Sequence, residues 1–444
     1  MTNLVSFDPS TGAVLGDVPR ADAKVVKNTI DKAHAATEHW RSFSLNERLA
    51  TIQNAYSKAE SSLSQLAELL SREMGKDIRR STGEVQGCIW GGPYIAASAL
   101  DALTTRKTEG ATIGYSPLGV AAIISPWNYP LAMANNLIMP ALMAGNSVIW
   151  KPSEETPLIA QEFYNILYKY LPPDLIQIIH GEGDVGKLLV EGDVNIIGFT
   201  GSQASGKDIM ARAASSLKRL VMELGGNDPM IVMHDANLNA AAQFAVASSF
   251  ENAGQMCIAT ERIYVDEKIA TEFEQLVVAI ARLYRVGAWS QDGVNIGPII
   301  NRNQHAKIAA HIKNAVDSGG RLLLGEVEQQ PPYIMPTVIS GMTPEMLIEQ
   351  EETFGPIVCI SSYSDIEDAI SRANDSSYGL GAVVFGETAS KDVANRLEAG
   401  MIGINQGVGG GGDTPWVGAK QSGFGYHGSL EGHRQFAQVR VMSY

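Results

Sequence analysis

Five short, almost wholly apolar segments recur between residues 119 and 224: GVAAIIS, SVIWK, LIQIIH, NIIGFT and RLVMEL. Strands that are apolar on both faces must be covered on both faces, and helices linking parallel neighbours do the covering. The segments therefore predict a doubly wound parallel sheet, with helices at Leu131–Met143, Leu158–Tyr170, Val185–Val190 and Gly206–Ala214. A second alternating series starts near Asn227. It runs DPMIVM, a helix Ala240–Ser249, ERIYVDE, a helix Ile269–Leu283, a helix Asn303–Val316, and then AVVFG and GMIGIN. Ahead of both series the chain reads mainly as helix, over Asp22–Trp40, Leu45–Met74 and Ala96–Leu103, followed by a polar, β-prone stretch Thr104–Pro117. The expected fold class is α/β, with two doubly wound-type domains.

Composition narrows what such a fold can do. Acidic residues outnumber basic ones, 48 against 34, for a formal net charge of −14. That balance argues against nucleic acid and anionic membrane as partners, since like charge attracts neither. No apolar run approaches the ~20 residues needed to span a bilayer, and MTNLVSFDPSTG lacks the basic and apolar regions of a signal peptide. The cysteines Cys88, Cys257 and Cys359 are too few and too scattered for a disulfide framework. A cytoplasmic, reducing setting is the expectation.

A few residues have a context that chemistry could use. Cys257, in FENAGQMCIATERIYV, follows a Gly254–Gln255 break between a helix pattern and a strand, where a ligand can approach. Read alone, it is equally a small buried hydrophobe. Glu223, in RLVMELGGNDP, lies among apolar neighbours, which disfavour its charged form and tune it toward a neutral-pH base. Asn128, in ISPWNYPLAM, is a turn residue or an amide donor aimed at an oxyanion. In GFTGSQASG, Gly201, Ser202 and Gly206 join a strand to a helix N-terminus, a place for a pyrophosphate. Lys151 and Glu154 follow the strand SVIWK, in an otherwise ordinary strand-to-helix loop.

PWNYP, KPSE, FTGS with Gly206, MELGG, GQMC and EETFGP, in this order and at these separations, resemble the aldehyde dehydrogenase superfamily over essentially the whole chain. The resemblance implies NAD(P)-dependent oxidation of an aldehyde to its acid. Cys257 would be the nucleophile, Asn128 with the Cys257 N–H the oxyanion hole, and Glu223 the base that hydrolyses the thioester. Lys151 and Glu154 would hold the adenosine ribose, and Gly201, Ser202 and Gly206 the pyrophosphate. Trp127 and Leu224 would join the cofactor contacts, with Glu352 and Phe354 at the nicotinamide ribose. NAD is expected to be preferred, with NADP tolerated, and no metal is expected.

The resemblance further implies a Rossmann-like cofactor domain over 1–103 and 118–225 and a catalytic domain over 226–428. A small β oligomerisation element over 104–117 and 429–444 would make a homodimer or homotetramer. The chain start implies that a leading β-hairpin is absent, and the Gly-rich stretch 407–412 is longer than usual. Where relatives carry an acid that some use as a proton relay, this chain has His427, a relay or a solvated loop residue. Relatives that oxidise succinate semialdehyde place arginines where this chain has Asn136 and Glu251. With Trp416 as an aromatic wall, those residues point to a hydroxylated or cationic amino-aldehyde. The competing reading turns Glu251 away into an ion pair. A succinate-semialdehyde-type or CoA-acylating enzyme, a cysteine hydrolase and a non-catalytic protein on the same fold are the alternatives. Keeping Glu223 speaks against CoA acylation, and no histidine lies near Cys257 in sequence for a hydrolase.

Overall fold

The structure, a computed structural model, describes residues 3–444. One sheet runs in the order Gly423–Phe424, Arg219–Glu223, Ile196–Thr200, Val120–Ile124, Ser147–Lys151, Ile176–Ile178. All neighbours are parallel except Gly423–Phe424, which pairs antiparallel with Arg219–Glu223. The chain builds outward from Val120–Ile124 to Ile176–Ile178, then returns to place Ile196–Thr200 on the other side. The switch point therefore lies between Val120–Ile124 and Ile196–Thr200, and ligands of open α/β sheets bind outside the carboxyl ends of the strands at such points. Side chains alternate as a pleat demands: Ala121 and Ile123 enter one core, while Val120, Ala122 and Ile124 enter the core on the opposite face.

A second sheet, Arg321–Leu324, Thr337–Ser340, Ile357–Tyr363, Thr260–Asp266, Asp228–Val232, Gly381–Phe385, Met401–Ile404, is parallel apart from its first strand. It too has a core on each face: Met230 and Val232 pack on one side, Ile231 and Met233 on the other. Ala437–Ser443, Ala111–Pro117 and Arg106–Thr108 form a third, antiparallel sheet. The expected α/β architecture is present, and among the described residues no helix is long and apolar enough to cross a membrane.

Three details depart from the sequence reading. The first residues, where the sequence suggests no strands, form a hairpin around FDPSTG: Asn3–Phe7 pairs antiparallel with Val14–Pro19. The stretch 45–74 is two helices, Leu45–Ser57 and Leu63–Met74, joined by a single 3₁₀ turn. The helix expected only from Ala96 begins at Ile78 and continues to Leu103, with Pro93 inside it. Tertiary packing outweighs propensity there, because Val85, Cys88, Ile89, Ala96 and Ala99 all face the core.

Candidate active site

Most of the residues expected to meet cofactor or substrate in the first half of the chain lie at the carboxyl ends of parallel strands, while Asn136 and Gly206 lie in the helices that follow. Pro126, Trp127 and Asn128 follow Val120–Ile124, Lys151 closes Ser147–Lys151, Gly201 and Ser202 follow Ile196–Thr200, and Glu223 closes Arg219–Glu223. Ser202 caps the helix Gln203–Ala213 by accepting from the Ser205 N–H, so the helix starts three residues before Gly206. At Gly206 a Cβ would come within 2.7 Å of Leu224, so glycine is what lets this helix close onto the sheet.

Cys257 reaches the same place from the second unit. The helix Leu238–Phe250 ends in a turn where Asn252, Ala253 and Gly254 have φ of 51°, 58° and 72°. Three left-handed residues in a row are costly for Asn and Ala, and such strain gathers at functional sites. At Gly254 a Cβ would lie 2.1 Å from the Gly355 carbonyl oxygen. The turn is held by Asn252 and Asn128, whose amide nitrogens both donate to the Gln255 carbonyl, at 3.2 and 3.0 Å.

A cavity of about 500 Å³ joins these elements, lined by Trp127, Asn128, Gly201, Ser202, Glu223, Leu224, Glu251, Cys257, Glu352, Phe354 and Trp416 among others. Burial raises the Glu223 carboxyl above the usual carboxylate range, and the nearby donors of Cys257, Trp416 and Thr200 partly oppose that. Its Oε1 accepts from the Trp416 indole at 3.3 Å, while its buried Oε2 has no protein partner. Burial first, then the Glu223 charge, hold the Cys257 thiol well above its ordinary range. Asn128 is 6% exposed, so it is positioned by its surroundings and not by solvent.

The cofactor candidates line this cavity or border it at the strand ends. Trp127 and Phe354 meet edge to face with centroids 5.5 Å apart. Glu352 accepts from the Gly226 N–H at 3.0 Å, and its carboxyl is raised by burial and by the neighbouring Glu261 charge. Lys151 is buried, donates to the Pro152 carbonyl and lies 3.8 Å from Glu154. A capped helix N-terminus, a tightly packed glycine and a buried ammonium beside a half-exposed carboxylate form a cradle suited to a dinucleotide.

Two substrate-pocket expectations need correction and a third changes meaning. Asn136 does not line the cavity; Met133, one turn earlier on the same helix, does. His427 is neither solvated nor at the cavity wall. It is 3% exposed, its ring stacks behind Trp416 at 6.3 Å, and burial lowers its pKa to about 4. Glu251 does line the cavity, yet Arg80 grips it through two bonds of 2.7 and 2.9 Å, with the Tyr129 hydroxyl at 3.2 Å.

No local pattern in the sequence points to Lys76. Its side chain is fully buried; Nζ bonds Glu84 and the Asn128 carbonyl, both at 2.6 Å, and lies 3.8 Å above the Tyr129 ring centroid. Glu84 also accepts from the Leu131 and Ala132 N–H groups, so this pair fixes the turn that carries Asn128. A lysine directly after the glycine that ends a helix reads as a solvated loop residue, which is why it escaped notice.

Fold and site are those of an α/β protein in which a thiol and a carboxylate face one cavity. The aldehyde dehydrogenase family matches residues 2–442. The chain is 34% identical to bovine 2-aminomuconic semialdehyde dehydrogenase, over 99% of its own length and 94% of that protein. It is 33% identical to the NADP(+) succinate-semialdehyde dehydrogenase of Escherichia coli strain K12, over 98% and 93%. The crystal structure of lactaldehyde dehydrogenase from Escherichia coli superposes with a TM-score of 0.96 at 29% identity, covering 100% of this chain and 96% of that one. The chain belongs to the aldehyde dehydrogenase family.

Proposed function

We propose that this chain oxidises an aldehyde to its carboxylic acid, with Cys257 carrying the acyl group and Glu223 activating the water that releases it. The observation that carries this reading is the meeting of Cys257, Glu223 and Asn128 in one cavity, drawn from three separate stretches of chain. The Cys257 thiol gives its proton to solvent, and the sulfur adds to the aldehyde carbon. The resulting alkoxide is held by the Asn128 amide and the Cys257 backbone N–H. Bound in the cradle, an oxidised nicotinamide dinucleotide supplies the hydride acceptor. Loss of hydride leaves a thioester on Cys257. Glu223 then deprotonates water, hydroxide adds to the thioester, and the sulfur departs as the acid forms. Lys151 and Glu154 would hold the adenosine ribose, and Gly201, Ser202 and Gly206 the pyrophosphate. Trp127, Leu224, Glu352 and Phe354 would frame the nicotinamide end. Adding NAD and aldehyde to the enzyme tests the activity: NADH must appear, and its absence with every member of a broad aldehyde panel would refute the reading.

NAD is the preferred cofactor on this reading. Glu154 can accept from ribose hydroxyls, whereas a 2′-phosphate would face like charge, worth roughly 4 kcal/mol for unit charges about 4 Å apart near a surface. Lys151, 3.8 Å from Glu154, offsets part of that. The expected kcat/KM ratio is about tenfold or more in favour of NAD; equal values for the two cofactors would contradict the assignment of Glu154.

The aldehyde is read as polar and uncharged. Glu251 offers no bare carboxylate to a cationic substrate, because Arg80 holds it in two bonds. Arg80 is likewise committed, to Glu251, Asp77 and the Asn295 carbonyl, and is not a free clamp for a distal carboxylate. The Tyr129 hydroxyl and Glu251 leave hydrogen-bonding groups, and Trp416 an aromatic face, suited to a hydroxylated tail. The likeness to lactaldehyde dehydrogenase supports this, whereas the semialdehyde dehydrogenases among the relatives favour a carboxylate-bearing substrate. Glycolaldehyde should exceed succinate semialdehyde, aminobutyraldehyde and a plain aliphatic aldehyde in kcat/KM. Succinate semialdehyde at the head of that series would mean that Arg80 exchanges Glu251 for substrate.

The excess of acidic residues and three free thiols, two of them buried, suit a reducing cytoplasm. Self-association through the third sheet is the companion proposal, since Val439, Val441 and Met442 on its outer strand, and Tyr444 just after it, are exposed.

A further inference from the structure

We propose that Trp416, besides walling the cavity, is a positioning residue for Glu223, its indole N–H fixing one carboxylate oxygen so that the other faces Cys257 and the attacking water. This rests on Glu223 being the hydrolytic base. Three features of the loop that carries Trp416 support it.

The loop is tied to the strand that carries Glu223. Gly423 pairs with Glu223 and Phe424 with Met222 across the antiparallel edge. The Leu224 N–H donates to the Ser422 carbonyl at 2.9 Å, and the Ser422 hydroxyl donates to the Gly225 carbonyl at 2.7 Å. Any shift of the loop therefore moves donor and acceptor together.

The indole is also backed. Trp416 and His427 pair through two backbone hydrogen bonds, of 2.8 and 3.3 Å, and their rings stack with only 13° between planes. His427 is buried and its pKa is lowered to about 4, so the plate behind the indole is neutral at working pH. A neutral flat ring holds the indole without competing for the carboxylate.

Glu223 itself has one oxygen engaged and one free. Oε1 takes the indole N–H at 3.3 Å, and Oε2 is buried without a protein donor. The other groups facing Glu223 are the Thr200 hydroxyl on the adjacent strand, the Cys257 thiol across the cavity, and the buried Asp228 carboxyl on the first strand of the second sheet. None of these groups is cationic, so ionisation of the carboxylate rests on neutral donors, Cys257, Trp416 and Thr200, and among them the indole N–H is the one held in place by a hydrogen bond of defined geometry.

Trp416→Phe keeps an aromatic wall and a stack on His427 but removes the donor. The NADH burst on mixing with NAD and glycolaldehyde should stay near one per site, which also shows the variant to be folded. Steady turnover at neutral pH should fall about tenfold, as for loss of a hydrogen bond to a charged group, and the acid limb of kcat should move up by about one pH unit. Adding Trp416→Phe to Glu223→Gln should slow turnover no further, since both act on one group. A Trp416→Phe variant that changes KM and leaves the acid limb in place would overturn the proposal and leave Trp416 a wall only. If Glu223→Gln itself leaves steady turnover intact, the failure lies in the assignment of the base. A second readout needs no substrate: the pH profile of Cys257 alkylation by iodoacetamide should contain an inflection absent in Glu223→Gln, and Trp416→Phe should move it upward. An inflection that stays in place contradicts the proposal.

Discussion

Cys257→Ala should abolish dehydrogenase turnover while the protein stays folded, and Glu223→Gln should keep the first-turnover burst of NADH but slow steady turnover by about 10²- to 10⁴-fold, the usual worth of a general base. The two outcomes differ because the residues serve different steps. Without the sulfur no covalent intermediate forms, so no hydride is released. Without the carboxylate the thioester forms and waits. Loss of the Glu223 charge also removes one of the influences that raise the Cys257 thiol, which helps the burst survive. The pH dependence follows from the same geometry. Glu223 must be ionised to take a proton from water, and burial raises its pKa, so steady kcat falls as pH drops through a value above the usual carboxylate range. A burst lost as completely in Glu223→Gln as in Cys257→Ala would refute this division of roles.

Lys76→Met should be the most destabilising single change near the site. Lys76 and Glu84 are both almost wholly buried and bonded at 2.6 Å. Removing one member of such a pair leaves an uncompensated buried charge, at a cost of about 3–5 kcal/mol. The urea midpoint should fall accordingly, and the burst rate should fall with it, because the Asn128 carbonyl loses its Nζ donor. Adding Glu84→Gln to Lys76→Met should recover part of the stability, since a neutral amide can still accept from the Leu131 and Ala132 N–H groups. A Lys76→Met variant with an unchanged midpoint would show that the pair contributes nothing to the fold.

Much of this was legible from residues alone, for identifiable reasons. The buried strands announce themselves because both faces are apolar, and the residues at their carboxyl ends are then candidates by position. Cys257, Glu223 and Asn128 are each ambiguous singly; their order along the chain suggests a shared site, and one cavity brings them together. The rest depended on contacts between distant stretches. Arg80 and Glu251 are 171 residues apart, and no local pattern shows that they pair. His427 looks solvated in a Gly-rich segment, yet the pairing of Gly423–Phe424 with Arg219–Glu223 draws that segment against the sheet. Gly83, Gly87, Gly91, Gly92 and Pro93 hid the helix Ile78–Leu103, whose formation follows from packing and not from propensity. Asn136 was assigned by its place after the PWN motif, and the helix turns Met133 to the cavity instead.

The central claim, an acyl group carried on Cys257 and released through Glu223, has one direct test. Glu223→Gln is mixed with NAD and glycolaldehyde, quenched in acid within the burst, digested and examined by mass spectrometry. The account predicts the glycoloyl mass on the peptide containing Cys257, at close to one per active site, decaying no faster than steady turnover. NADH produced in that burst with no acyl group on Cys257, or with the acyl group on another residue, would contradict it.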